Sequence, residues 1–273
     1  MNNDKIPGFR PNKHLGQNFL VDKNALAKII AAADLHEDDM VVEVGTGLGV
    51  LTLALAEKVK HVRTIEYDQR LIPILKKTFQ NDQNIELMEA DALQTALPGY
   101  PYKLVANIPY YITSPLIQNF LNPKTREEKR PTLIVLLVQK EVAQKICAKE
   151  GNHSILSLQT QVFGKPKIIG PVHKSSFYPQ PKVDSAILKI EVYSKPLIQN
   201  IKVFFKLISA AFSQKRKTLL NSLAHGLNMP KEDIETMLKK AAIDVRRRPQ
   251  TLAIKEWECL CGITKHALNS LDE

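Results

Sequence analysis

Long apolar runs are missing from this sequence. The most apolar stretch, Leu133 to Val138, has only the length of a strand, and nothing approaches the roughly 18 apolar residues that a membrane-spanning helix requires. The first ten residues are polar and contain no apolar segment of the signal-peptide kind. No membrane partner is therefore expected, and the expected compartment is the cytoplasm. Cysteine is scarce: Cys147 stands alone, and Cys259 and Cys261 lie two apart. A structural zinc site would want four ligands, commonly from pairs of C-x2-C. The three thiols read as small apolar residues, and no metal is expected. Internal repeats and low-complexity segments are also absent.

What is present is ordinary globular material, 44% hydrophobic and 24% charged over 273 residues. That length accommodates one large domain and a small one. The formal net charge is +10, which raises the expectation of a polyanionic partner. The excess is uneven. Residues 195–273 hold fourteen Lys/Arg against eight Asp/Glu, so over half of it sits in less than a third of the chain. Two clusters stand out there, Lys215-Arg216-Lys217 and Arg246-Arg247-Arg248. Either alone could be a solvated helix face; together, beside a base-binding motif, they are candidate RNA phosphate contacts.

Apolar runs at Met40–Val44, His61–Ile65, Ile85–Glu89, Lys103–Asn107 and Leu133–Val138 read as strands, with helical spacing at Val50–Val59 and Leu71–Phe79 between them. Such alternation predicts an α/β fold, a parallel sheet with helices on both faces. Ala186–Val192 reads as a late, antiparallel strand. Beyond Pro196, residues 204–212, 218–225, 234–242 and 255–260 show three- and four-residue apolar spacing, punctuated by Gly226 and Pro230. The expected organisation is therefore an α/β domain over 1–195 and a small, basic, all-α domain over 196–273.

Glu43-Val44-Gly45-Thr46-Gly47-Leu48-Gly49 lies between the first strand and the next helix. Glycines there let the backbone approach a ligand and turn sharply. The spacing is G-x-G-x-G, whereas a dinucleotide site would read G-x-G-x-x-G. Glu66 closes the second strand, where a carboxylate can accept both hydroxyl hydrogens of a ribose. Asp91 follows the third strand and suits an adenine amine; a turn or cap role is its plain alternative. The three features at the carboxyl ends of successive strands define one crevice, and S-adenosylmethionine is the expected cofactor.

Asn107-Ile108-Pro109-Tyr110 follows the fourth strand. Adenine N6 is a poor nucleophile because its lone pair is delocalised. The Asn107 side-chain oxygen and the Ile108 carbonyl can accept its two hydrogens and return density to nitrogen. Pro109 fixes the backbone that aims that carbonyl, and Tyr110 offers a stacking face. An adenine must be flipped or unpaired to reach such a site. Phe177, on the Pro-rich stretch Ser176 to Lys182, is the candidate for a second stacking ring.

These motifs resemble the small-subunit ribosomal RNA dimethyladenosine transferase family. The resemblance runs from Lys13 to about Trp257. It includes His14 to Leu20, Glu43 to Thr52, Asn107 to Pro115, Phe177 to Ala186 and Phe212 to Leu223. It implies a Rossmann-like class I methyltransferase sheet with a small C-terminal all-α domain. It also implies transfer of four methyl groups onto two adjacent adenosines near the 3′ end of 16S rRNA, within a pre-assembled 30S particle, by a monomer. Cofactor contacts implied at matching positions are Asn18, Leu20, Gly45, Glu66, Asp91 and Asn107; the first two rest on resemblance alone. Thr46 and Tyr111 depart from the family pattern without removing an acceptor or a glycine. Ala253 stands where a capping Ser or Thr is usual, a loss of about 1 kcal/mol at that helix start. Alternative readings are a large-subunit adenine methylase of the antibiotic-resistance type, a DNA adenine methylase, and an assembly factor acting mainly by binding.

Overall fold

The computed structural model describes residues 10–123, 125, 127–214 and 216–269, without the side chains of Lys13 and of residues 265–269. Nine strands occur among them: β1 (Phe19–Leu20), β2 (Met40–Val44), β3 (His61–Glu66), β4 (Ile85–Glu89), β5 (Lys103–Asn107), β6 (Leu133–Gln139), β7 (Gly164–Val172), β8 (Phe177–Tyr178) and β9 (Ser185–Val192). The helices are α1 (Lys23–Ala33), α2 (Val50–Ala56), α3 (Ile72–Thr78), α4 (Thr113–Leu121), α5 (Lys140–Ile146), α6 (Ile155–Gln161), α7 (Ile201–Phe212), α8 (Leu219–Leu227), α9 (Lys231–Lys240) and α10 (Ile254–Asn269). None of the described helices is long and apolar enough to cross a membrane.

Seven strands form one sheet in the order β4-β3-β2-β5-β6-β9-β7. β2, β3, β4, β5 and β6 run parallel, and β9 joins β6 antiparallel, Leu133 opposite Glu191 through Gln139 opposite Ser185. Strand order reverses between β2 and β5, so the loops after these two strands diverge and leave a crevice at their carboxyl ends. β6 is the most enclosed strand, with Leu133 to Val138 all buried; both of its faces are covered, which is why it reads as one continuous apolar run. α1 and α2 contribute Ala25, Ile29, Leu51 and Leu55 to the core on one face. Asp22 starts α1 by accepting from the Asn24 and Ala25 amides, and it also takes the Ser176 hydroxyl at 2.8 Å.

The described residues fall into two compact units. One comprises the chain up to residue 144 with 165–192; the other comprises 145–164 and 193 onward. The helical unit thus begins earlier than the linear pattern suggests, because 145–164 joins it. The Gly151 and His153 amides both donate to the Gln250 carbonyl, at 3.1 and 3.2 Å, and Phe163 packs on Phe205 at 6.3 Å. Within this unit α7 and α8 approach closely at Gly226, where a Cβ would lie 2.5 Å from the Ala210 Cα. Trp257, fully buried, meets Phe204 edge-on at 6.4 Å. α10 lacks the hydroxyl cap at Ala253, and Glu256 compensates: its Oε2 accepts from the Ala253 amide at 2.8 Å, the reciprocal half of a capping box.

Candidate functional site

The loops after β2, β3, β4 and β5 enclose one cleft of about 420 Å³. The six expected cofactor contacts, Asn18, Leu20, Gly45, Glu66, Asp91 and Asn107, all line it, as do Ile108, Pro109 and Tyr110. Gly45 has φ 79°, a left-handed conformation that favours glycine. A side chain there would also meet the Asn107 carbonyl oxygen at 3.4 Å. Gly49, at φ 81°, begins α2 where a Cβ would strike the Phe79 ring at 2.9 Å. Backbone angle alone therefore requires glycine at Gly45, against the cleft, whereas angle and space together require it at Gly49, where α2 begins.

Glu66 is buried at the end of β3. Its Oε2 accepts the Gly47 amide at 2.9 Å and its Oε1 the Asp68 amide at 2.8 Å. Burial pushes its carboxyl above the ordinary value, and these amides pull partly against that shift. Each oxygen keeps capacity for one further donor. Asp91 does serve as a turn cap, accepting from the Leu93 amide at 2.9 Å and the Gln94 side chain at 3.1 Å, while still facing the cleft.

Glu43 is completely buried beneath the glycine loop. Its Oε2 takes the hydroxyls of Thr52 and Thr64 at 2.6 and 2.7 Å; Thr46 extends the chain to Thr64 at 2.7 Å. Its Oε1 has no partner. Burial raises the carboxyl to about 8, against the opposing effect of the two hydroxyls. With a diol-accepting carboxylate at Glu66 and an amine acceptor at Asp91, the donor and acceptor set fits S-adenosylmethionine.

Asn107 has one side-chain orientation fixed by its surroundings. Its Nδ2 donates to the Asn18 carbonyl at 3.2 Å, which leaves Oδ1 available as an acceptor. The Asn18 segment is itself anchored: Gln17 Nε2 donates to Asp68 at 2.7 Å, and Arg70 grips the same carboxylate at 2.9 and 2.5 Å. Arg70 and Gln17 hold the Asp68 carboxyl below its ordinary value, against desolvation. Sequence reasoning missed Gln17, Asp68 and Arg70, because Gln17 and Asp68 meet across 51 residues with no local spacing to mark them. Tyr110 is half-buried, and its hydroxyl pairs with Ser185 at 2.6 Å. Exposed Tyr67 and Tyr111 also border the cleft.

Two expectations need correction. Phe177 does not line the cleft. It is 4% exposed and packs in the core with Leu20 and Ile187. The antiparallel β1–β8 pair sets it opposite Leu20 and turns Tyr178 outward instead. Arg247 is not free to meet phosphate. Its guanidinium is committed to Glu256, and to the hydroxyl and carbonyl of Thr251. Glu256 in turn lies below its ordinary value: burial pushes it up, and Arg247 with the Ala253 amide more than offset that. Arg216, Lys217, Arg246 and Arg248 are exposed; Lys215 lies outside the described residues.

A parallel sheet reversing at β2/β5, an antiparallel β9, a glycine loop and an acidic residue at the end of β3 define a Rossmann-like methyltransferase. Within that class, the model of the ribosomal RNA adenine dimethylase family matches residues 8–260, and the chain belongs to that family. The ribosomal RNA small subunit methyltransferase A of Dehalococcoides mccartyi strain 195 is 41% identical over 260 residues, covering 93% of this chain and 88% of its own. The protein of the same name from Clostridioides difficile strain 630 is 40% identical over 275 residues, with 96% and 93% covered. Among solved structures, a dimethyladenosine transferase from Plasmodium falciparum is 32% identical with TM-score 0.78, covering 91% of this chain and 98% of its own. The 23S rRNA methyltransferase ErmE gives 28%, 0.72, 91% and 100%. The chain is thus an rRNA adenine dimethyltransferase by family, and family and fold imply use of S-adenosylmethionine.

Proposed function

We propose that this enzyme places two methyl groups on N6 of each of two adjacent adenosines near the 3′ end of 16S rRNA. It acts as a monomer in the cytoplasm, on a pre-assembled 30S particle late in its maturation. The observation that carries the chemistry is the committed Asn107 amide: with Nδ2 given to the Asn18 carbonyl, Oδ1 is the atom left to accept from an incoming amine. Identity of about 40% to proteins named for the small subunit supports that target over the large subunit.

Bound in the cleft, S-adenosylmethionine supplies an electrophilic methyl group. Glu66 would accept from the ribose hydroxyls and Asp91 from the cofactor's adenine amine. Gly45 brings the backbone close, and Asn18 and Leu20 close the other wall. Asn107 Oδ1 and the Ile108 carbonyl take the two N6 hydrogens of the target base. Density returns to N6, which would take the methyl group as the methyl–sulfur bond breaks and the thioether departs, and would shed a proton to solvent; in the second transfer one N6 hydrogen remains, for one of the two acceptors. Tyr110, tethered by Ser185, stacks on the base for about 1–3 kcal/mol. Alignment of the reacting atoms accounts for the main acceleration. Arg216, Lys217, Arg246 and Arg248 bind phosphates and steer the particle.

The test is methyl transfer from tritiated cofactor to undermethylated small subunits, large-subunit RNA and adenine-containing DNA, side by side. Label is expected in the 3′ region of the small-subunit RNA as dimethyladenosine. Label chiefly in either other substrate overturns the target.

A further inference from the structure

The carboxyl ends of the parallel strands form a row. β4, β3, β2 and β5 end at the cleft, through Asp91, Glu66, Gly45 and Asn107. The next strand in the row is β6, which ends at Gln139 and passes directly into Lys140. Lys140 lines a second, open groove with His173, Lys174, Lys182, Val183 and Asp184. The groove starts beside the target-base box. Ser185, which holds the Tyr110 hydroxyl at 2.6 Å, pairs with Gln139 in the sheet and directly follows Asp184.

The charges in the groove are arranged for an anion. Lys140, Lys174 and Lys182 make no ion pair among the described residues, and Lys140 and Lys182 are exposed. Their ammonium groups are available without a desolvation cost. Asp184 is occupied within the groove: its Oδ1 accepts the Lys174 amide at 3.0 Å and lies 3.7 Å from His173 Nε2, while its carbonyl accepts the Lys140 amide at 3.0 Å. It acts as a tie that fixes the Lys174 loop to the start of α5. Glu141 is the remaining acid, so lysines outnumber carboxylates in the groove.

We propose that this groove holds the RNA backbone phosphate adjoining the target adenosine, with Lys140, Lys174 and Lys182 as its cationic contacts. The proposal rests on the RNA-methylating reading above. A strand that delivers a base to Tyr110 carries a phosphate on each side of that nucleotide, and the groove begins at the tether of that tyrosine. The lysines contact backbone and read no sequence, so their task is to fix the extruded nucleotide in register.

The test uses K140Q, K174Q, K182Q and the triple variant, with K60Q, just before the amino end of β3, as the control. Affinity is measured across a salt series for two probes: a single-stranded, adenosine-containing oligoribonucleotide and the undermethylated small subunit. Each phosphate of a single strand that is no longer neutralised should flatten the slope of log K against log salt by about 0.7. The triple variant should show a shallower slope on both probes and a KM for RNA raised roughly tenfold, a change of about 1.4 kcal/mol. Cofactor affinity by calorimetry should stay at the wild-type value, and K60Q should leave the slope unchanged. An unchanged slope on both probes overturns the proposal. If wild-type enzyme methylates no small subunits while the oligoribonucleotide slope still falls, the target assignment fails and the groove stands. Should the triple variant lose cofactor affinity through misfolding, the single variants decide by the same slopes.

Discussion

Replacing Glu43 with glutamine should remove a specific pH dependence from the stability of the α/β unit. Glu43 is completely buried, and burial raises its carboxyl from an ordinary 4.5 to about 8. The folded protein therefore holds this proton over a range in which the unfolded chain has released it. The stability it favours is present below about pH 4.5 and is lost progressively as pH rises toward 8; above that both states are ionised and the loss is constant. At 1.36 kcal/mol per unit, the whole window corresponds to about 5 kcal/mol, and the interval from pH 5.5 to 7.5 to about 2.7 kcal/mol. Glutamine preserves volume and one acceptor for Thr52 and Thr64, and it cannot ionise. The assay is urea unfolding followed by far-ultraviolet circular dichroism at several pH values. Trp257 fluorescence reports the helical unit in parallel. Wild type should lose about 2.7 kcal/mol relative to Glu43→Gln between pH 5.5 and 7.5. Glu66, also raised by burial, is common to both proteins and cancels to first order. A difference that stays flat within about 0.5 kcal/mol refutes the neutral-carboxyl account.

Asn107→Ala should lower transfer by about 100-fold or more, with cofactor affinity only partly weakened, since an acceptor for developing charge is typically worth that much; near-normal turnover would sink the amine-acceptor mechanism. Arg247→Ala should cost about 1–2 kcal/mol of stability at neutral pH, as the pair with Glu256 is largely sheltered. That difference should shrink as pH falls below the ordinary carboxylate range and Glu256 protonates. Arg248→Ala should behave oppositely, leaving urea midpoints unchanged and flattening the salt dependence of particle binding. Gly226→Ala would drive a methyl group into the Ala210 backbone and should destabilise the helical unit by about 2–3 kcal/mol, read from Trp257 fluorescence; a wild-type midpoint would contradict the close α7–α8 approach.

β6 was legible because a strand covered on both faces must be apolar throughout, and the others because apolar stretches alternate with helical spacing. β2, β4 and β5 match their expected limits, and β6 extends one residue further, to Gln139. β7 was not legible. Its sequence, Gly-Lys-Pro-Lys-Ile-Ile-Gly-Pro-Val, carries two prolines and two lysines, and it lies at the sheet edge, where proline is tolerated and lysine discourages further pairing. The glycine loop and the Asn107 box could be read because each is contiguous and follows a recognisable strand. The anchoring of Asn18 through Gln17, Asp68 and Arg70 could not, since it depends on tertiary proximity. Arg247 illustrates a further limit: three adjacent arginines look equivalent as a charge cluster, and only folded geometry separates the one turned inward to Glu256 from its two exposed neighbours.

The helical unit is assembled from two stretches of chain that flank β7 and β9. It is therefore not a cassette that one cut can remove. Truncation near residue 196 would leave Leu158, Val162 and Phe163, all buried in the intact protein, without their partners, creating an apolar surface prone to association. During synthesis the same three residues emerge well before α7 and must wait for it, while the sheet cannot complete itself until that orphaned stretch has already been made. Exchanging helical units between relatives thus calls for three junctions, near residues 144 and 145, near 164 and 165, and near 192 and 193.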